Sequence, residues 1–339
     1  MRLVALVAAL ASASALSVSV SRPPSGLEAG DTWSAGVVVK SNGRPASGAR
    51  VSVYVGGRSF AARSAGRGRY RAQVTLPSPG RWPYGARVRG RSYRGGTLVV
   101  GPVRLHGTYD VAVAPDGSLL IGDSSNRVLR YRNGTLEVLA RLRFPVEVAP
   151  DPRGGIGVVH QERYVRHVAA DGTTRVVAEL EQPTAHAYAA DGTLYVSELG
   201  GRVRRVDTSG AITTLVATGL NRPHGLVVVG GTLYVCDTFD NELLAVELAS
   251  GAVRTLTREL NTPVDVAAGP DGALYVADYG NGRIARVTTA GQATTWATLL
   301  GANGVAVAPD GTVYATERER PRVLRVDAAT RAVTTAVGS

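Results

Sequence analysis

Six side chains able to carry a proton or ligate a cation recur at one register of this 339-residue sequence: Asp123, His160, Glu198, Asp237, Asp278 and Glu317. Successive members stand 37, 38, 39, 41 and 39 positions apart. Each ends a short, mostly apolar run, such as Leu194–Glu198 or Leu274–Asp278. A second set stands at the start of the strand-like run before each of these. It comprises Tyr109 and Asp110, Val146 and Glu147, Thr184 with Ala185 and His186, His224 and Gly225, Val264 and Asp265, and Asn303 and Gly304. Gathered around one channel, such side chains would collect a cation or an anionic ligand. Tyr109, Asp110, His186 and His224 are the ligand-binding candidates. The first set reads differently, because a group present in every repeat is scaffold more often than site. Asn126, Asn241 and Asn281 follow three of its acids by three or four places. That spacing suits a carboxylate accepting backbone hydrogen bonds in its own loop.

Compact catalytic signatures are missing. There is no Gly-x-Ser-x-Gly elbow, no His-Glu-x-x-His, no Walker loop and no dinucleotide-binding glycine fingerprint. A serine hydrolase, a zincin and a nucleotide enzyme therefore have no support. Cys236 is the single cysteine, which excludes an intrachain disulfide framework and a cysteine-based zinc site. It reads as a packed, inert strand residue.

The elements that would position these groups follow from the repeat. A strand-like run precedes each apolar anchor, usually joined to it by Asp-Gly, as at Asp116-Gly117 and Asp271-Gly272. A third run follows, such as Arg202–Val206, and then a fourth, such as Ala293–Thr298. Four strands per repeat, six times over residues 106–339, predict a six-bladed β-propeller. One such sheet cannot bury both its faces; six in a ring can. Residues 16–105 read as a small β-sandwich, with strands expected at Thr32–Lys40, Arg50–Val55, Tyr70–Leu76, Tyr84–Val88 and Thr97–Val100. Thr97–Leu105 would either end the sandwich or pair with the sixth blade. The fold class is all-β throughout.

The repeats resemble the NHL family and the related gluconolactonase-like propellers. The likeness rests on Pro263-Val264-Asp265-Val266 through Asp278-Tyr279-Gly280-Asn281-Gly282-Arg283-Ile284, with counterparts at Pro223-His224-Gly225 and Asn303-Gly304-Val305. It covers residues 107–339 and implies the propeller fold, a scaffold that hosts lactonases, lyases and binding modules alike. Gluconolactonase-like enzymes hold one divalent metal through a Glu, an Asn and an Asp at such strand starts. The resemblance implies His224, Asp265 and Asn303 as ligands for one Ca²⁺ or Mg²⁺, with Glu147, as ligand or base, and Asp265 as the catalytic residues. Asn303-Gly304 matches the family motif. The Glu-Gly-Pro of blade one is missing, the acid of Pro263-Val264-Asp265 falls one place late, and His224 is a different residue type. The runs ending Val-Ser-Glu and Ala-Thr-Glu, with His186 and His224 nearby, are similar to streptogramin lyases, which use His and Glu with Mg²⁺. Arg222 stands where that likeness expects an acid before His224. Gly66-Arg67-Gly68-Arg69-Tyr70-Arg71-Ala72 followed by Pro79-Gly80-Arg81-Trp82 resembles immunoglobulin-like modules of exported bacterial proteins.

Compartment and charge complete the reading. Met1-Arg2, the uncharged Leu3–Leu10 and Ala11-Ser12-Ala13-Ser14-Ala15 predict a signal peptide over residues 1–15 and a secreted, extracytoplasmic protein. No apolar run reaches the roughly 20 residues that span a bilayer. The chain carries a formal net charge of +11, unevenly spread. Residues 16–105 hold fifteen basic and two acidic side chains, whereas residues 106–339 hold 22 basic and 25 acidic. A general Arg bias would load both parts alike. The expectation is an exported binding or interaction protein, with a small-molecule or protein ligand at the propeller mouth. The basic sandwich would anchor it on an anionic cell-surface polymer. Nucleic acid is not expected, since the Arg63–Arg94 cluster carries no reading motif. The alternative is a metal-dependent hydrolase of lactones or related esters, with a streptogramin-lyase-like enzyme behind it.

Overall fold

Alternation of apolar and polar residues carries directly into the strands of the computed structural model, which describes residues 16–160, 163–318 and 320–338. The expected signal peptide, residues 1–15, lies outside them. The chain divides after Val103 into two compact units.

The first unit has two antiparallel sheets. One runs Leu16–Val20, Thr32–Ser41, Arg69–Thr75, Arg63–Ser64, with Arg44–Pro45 also paired to Thr32–Ser41. The other runs Arg58–Ala61, Val51–Val55, Gly80–Val88, Arg91–Val100. Every second residue enters a common core: Trp33, Ala35, Val37 and Val39 from one sheet, and Val51, Val53 and Val55 from the other. Trp33 meets Tyr84 edge-on at 5.3 Å between ring centres. The last strand is longer than the expected Thr97–Val100 and pairs along its whole length with Gly80–Val88. It therefore belongs to this unit. Gly95 and Gly96 do not break it, because the register shifts at Tyr84/Gly85, and a Cβ on Gly95 would lie 2.5 Å from the Tyr84 ring.

The second unit is six four-stranded antiparallel meanders, one per repeat. The innermost strands are Thr108–Val113, Pro145–Pro150, Pro183–Tyr188, Pro223–Val229, Pro263–Ala268 and Ala302–Val307. Each packs beside the next, and the first beside the sixth, which closes a six-bladed β-propeller. The six anchor runs are all second strands, and Val128, Val158, Val196, Val235 and Val276 there and beside them are fully buried. Asp-Gly links work as expected: the Asp116, Asp191, Asp271 and Asp310 carboxylates each accept the backbone N–H two residues on. Blade one is built wholly from Thr108–Arg141 and blade six wholly from Ala302–Gly338. No strand is exchanged where the ring closes. Side chains hold that seam instead, with Thr108 Oγ1 donating to the Glu317 carbonyl (3.3 Å) and Asn303 Nδ2 to the Tyr109 carbonyl (2.5 Å).

The recurrent acid is scaffold. Each pairs in register with the first residue of its innermost strand, as Asp278 does with Pro263. Asp278 is fully buried, accepts from Asn261 N–H (2.7 Å) and Asn281 Nδ2 (2.9 Å), and bonds Arg283 Nε (2.6 Å). Asp123 does the same with His106 N–H and Arg127. Glu198 does so with Glu181 N–H and Arg202, and Asp237 with Asn221 N–H. Each acid thus ties the loop entering its blade to the second strand. The following asparagines divide in role. Asn281 bonds its own acid, whereas Asn126 and Asn241, both with positive φ, accept from Phe144 N–H and Thr262 N–H in the loop to the next blade.

Asp278→Ala is expected to destabilise the propeller by about 2–3 kcal/mol, since buried donors lose a charged acceptor while Arg283 is left partly solvated. Asp271→Ala, at an exposed ion pair with Arg286, should cost about 1 kcal/mol or less. Urea denaturation of both variants checks the difference; equal losses would count against the scaffold role.

Candidate functional site

Every innermost strand begins with a register shift. Pro145 pairs with His160, but Glu147 with Val159, so Val146 is an extra residue. The same irregularity falls at Thr108/Asp110, Pro183/Ala185, Pro223/Leu226, Pro263/Asp265 and Ala302/Val305. A bulge re-aims side chains at a strand end. Proline is tolerated as the leading residue of four of these strands because its missing N–H costs nothing at a strand start. The bulges deliver two consecutive positions per blade to the same mouth of the channel.

There they line one cavity of about 500 Å³. Its wall includes Tyr109, Asp110, Glu147, His224, Asp265 and Asn303, five strands' worth of the expected candidates, with Thr184 and Ala185 from blade three. His186 does not line it. It is fully buried one place further along its strand, its ring edge-on to Tyr188 at 5.6 Å and packed over Gly157. Both its ring nitrogens lack a hydrogen-bond partner; Nδ1 lies 4.0 Å from Glu147 Oε1. Burial pushes its pKa down to about 4. His106, Ser124, Arg318 and Arg320 also line the cavity and were not anticipated. His106, Ser124 and Arg318 come from connecting segments, and Arg320 opens Arg320–Val326, the third strand of blade six.

The three acids share one geometry. Each reaches across to the next blade and accepts a backbone N–H there: Asp110 from Val148 (2.9 Å), Glu147 from His186 (3.1 Å) and Asp265 from Val305 (2.7 Å). Asp265 also accepts the Val266 N–H at 2.8 Å. Where blade three has Ala185 instead of an acid, Thr184 Oγ1 donates to the Pro223 carbonyl (2.7 Å) and Ser197 Oγ to the His224 carbonyl (3.0 Å). Blades four and six have glycine, and the space is needed. A Cβ on Gly225 would come within 2.5 Å of Asp265, and one on Gly304 within 2.4 Å of Asp110 Oδ1.

Burial raises all three carboxyl pKa values. Asp110 is pushed up by burial and then by Asp265, and Glu147 by burial and then by Asp110 and Asp265. Asp265 is raised to about 7 by burial, against the pull of its two backbone bonds. His224 falls to about 4 through burial, with Arg222 and Arg318 adding to the effect. The mouth thus combines acids of raised pKa on blades one, two and five with a lowered-pKa imidazole on blade four, and Arg318 enters from blade six, between blades five and one.

His224, Asp265 and Asn303, the expected ligands of a divalent metal, line this one cavity. Each Asp265 oxygen accepts one backbone N–H, and Asn303 donates Nδ2 to the Tyr109 carbonyl, which leaves its Oδ1 as an acceptor. Among the described residues, no group of three or more His, Cys, Asp or Glu side chains is placed to hold a metal ion.

Residues 260–286 match the NHL repeat. The chain is 34% identical over 121 residues to teneurin-3 of Mus musculus, covering 34% of this chain and 4% of that protein. It is 31% identical over 174 residues to virginiamycin B lyase of Nocardia farcinica, covering 48% of this chain and 58% of the lyase. The chain thus spans a small fraction of the teneurin and just over half of the lyase. A gluconolactonase structure from Xanthomonas campestris superposes with a TM-score of 0.58 at 18% identity, over 68% of this chain and 87% of that one. The repeat match and these likenesses support a β-propeller.

Because Asp265 has a raised pKa in the folded state, its contribution to stability is complete below about pH 4 and is lost as pH rises to about 7. His186 and His224, with lowered values, act oppositely: their contribution is lost as pH falls from about 6.5 towards 4. The difference between wild type and Asp265→Asn isolates the acid. In urea titrations from pH 4 to 8, wild type is expected to lose stability relative to the variant between pH 4 and 7 and to run parallel above. A flat difference would show that Asp265 titrates normally.

Proposed function

We propose that this chain is an exported binding protein whose propeller takes a small-molecule or protein ligand at the channel mouth. One observation carries this reading: bulged strand starts bring six blades' variable side chains to one cavity, while the repeated acids are absorbed by the scaffold. A ligand presenting hydrogen-bond donors or a cationic group would face Asp110, Glu147 and Asp265, and its acceptors would face Arg318 and Arg320. The first unit is read as an immunoglobulin-like module that attaches the protein to an anionic surface outside the cell.

The second reading is a hydrolase of lactones or related esters. The raised pKa of Asp265, near neutrality in a cavity with His224 and Asn303, favours it, since such a carboxyl suits general acid–base work. A lyase of the virginiamycin B type has the sequence likeness behind it, but Arg222 rather than an acid precedes His224.

Elemental analysis of chain purified without chelator, with melting followed in EDTA, separates the readings. The binding reading expects no stoichiometric divalent ion and no EDTA effect. Roughly one tightly held ion per chain, lost with a fall in melting temperature, would overturn it in favour of the hydrolase. Asn303→Ala then tests the site: it should weaken ligand-induced stabilisation in a binding protein and abolish lactone turnover in an enzyme, with the fold retained in both.

A further inference from the structure

In the first unit, the outer face of the sheet holding Thr32–Ser41 and Arg69–Thr75 concentrates positive charge by register. Tyr70, Ala72 and Val74 enter the core, so Arg69, Arg71 and Gln73 point outward. Arg71 lies across from Gly36 on one neighbouring strand and from Arg63 on the other. Arg69 lies across from Val38, and Lys40 follows two residues along that strand on the same face. Opposed Arg63 and Arg71 are about 5 Å apart at Cβ, an arrangement that repels unless an anion lies between or above them. The unit's only acids, Glu28 and Asp31, stand at the other end of these strands, beside the Thr32–Thr75 pair.

The rest of the face selects among polyanions. Ser17, Ser19, Ser34 and Gln73 are exposed between the cations and offer hydroxyl and amide hydrogen bonds. The face presents no aromatic ring on which a nucleic-acid base would stack. Among the described residues, the only large apolar side chain well exposed in this unit is Val99, on the other sheet, so the face has no wedge for a bilayer. The spacing between strands, about 4.8 Å, is close to the length of one pyranose ring.

We propose that this face binds an acidic polysaccharide, with Lys40, Arg63, Arg69 and Arg71 pairing its carboxylates and the serines and Gln73 meeting its hydroxyls. The proposal rests on the reading of this unit as the surface anchor and names its face and partner.

Binding of the full chain to immobilised polygalacturonate at low salt tests it, with melting temperature as the control for folding. The triple variant Arg63→Ser/Arg69→Ser/Arg71→Ser is expected to bind at least roughly tenfold more weakly than wild type, and wild-type binding to fall steeply with salt. Arg87→Ser/Arg91→Ser/Arg94→Ser removes the same charge from the other sheet and should change affinity by less than about threefold. Equal losses in both triples would overturn the assignment to this face and leave the anchor reading standing. A chain that ignores polygalacturonate but holds phosphatidylglycerol vesicles or single-stranded DNA would overturn the polysaccharide. A chain that binds none of the three would overturn the anchor reading with it.

Discussion

A propeller's innermost strands diverge from one another around the channel, so each leaves one backbone edge with no strand to pair with. Those edges are buried, and buried N–H and C=O groups must find partners. Here the partners are side chains from the neighbouring blade: Asp110, Glu147 and Asp265 accept N–H groups, and Thr184 and Asn303 donate to carbonyls. Much else at the axis follows. The bulges turn these side chains towards the next blade, and Gly225 and Gly304 leave room for the Asp265 and Asp110 carboxylates. Ring closure uses the same bond, since Asn303 and Tyr109 belong to the last and first blades.

The same constraint accounts for the electrostatics of the mouth. Acids recruited to cap backbone groups are held in a dry place near one another, and the charged form of each is disfavoured. The outer ring of acids lives under different physics. Asp123, Glu198, Asp278 and Glu317 each have an arginine of the adjoining strand as partner, and three of them also accept a loop amide. Asp237 lacks such an arginine bond, and burial raises its pKa to about 6. Two rings of similar residues, on adjacent strands of each blade, thus differ in whether their charge is compensated.

Fold likeness carries only part of the functional argument. Propellers of lyase and lactonase type share this scaffold at low identity, and a scaffold is compatible with many chemistries. In this chain the strand starts do two things at once: Asp110, Glu147, Thr184, Asp265 and Asn303 hydrogen-bond the neighbouring blade and line the cavity.

Strands, hairpin turns and the six-fold repeat were legible from residue order because they depend on local periodicity and turn chemistry. Asn133-Gly134, for example, turns as Asn-Gly should, with both residues at positive φ. The scaffold role of Asp278 was legible from its recurrence, and the membership of Asp110, Glu147, His224, Asp265 and Asn303 in one mouth from their common register. The hydrogen-bond partners of the three acids were not, because each lies 38 to 40 residues away in the next blade, and Asn303's partner Tyr109 lies 194 away across the ring closure. Nor was the fate of His186, since one residue of strand alternation separates a cavity wall from a buried blade interface. Arg318 reaches the mouth from the turn after Glu317, and Arg320 from the start of the strand that follows. Residue order determined which side chains recur; ring closure decided which of them meet, because only the closed ring makes distant strand starts neighbours.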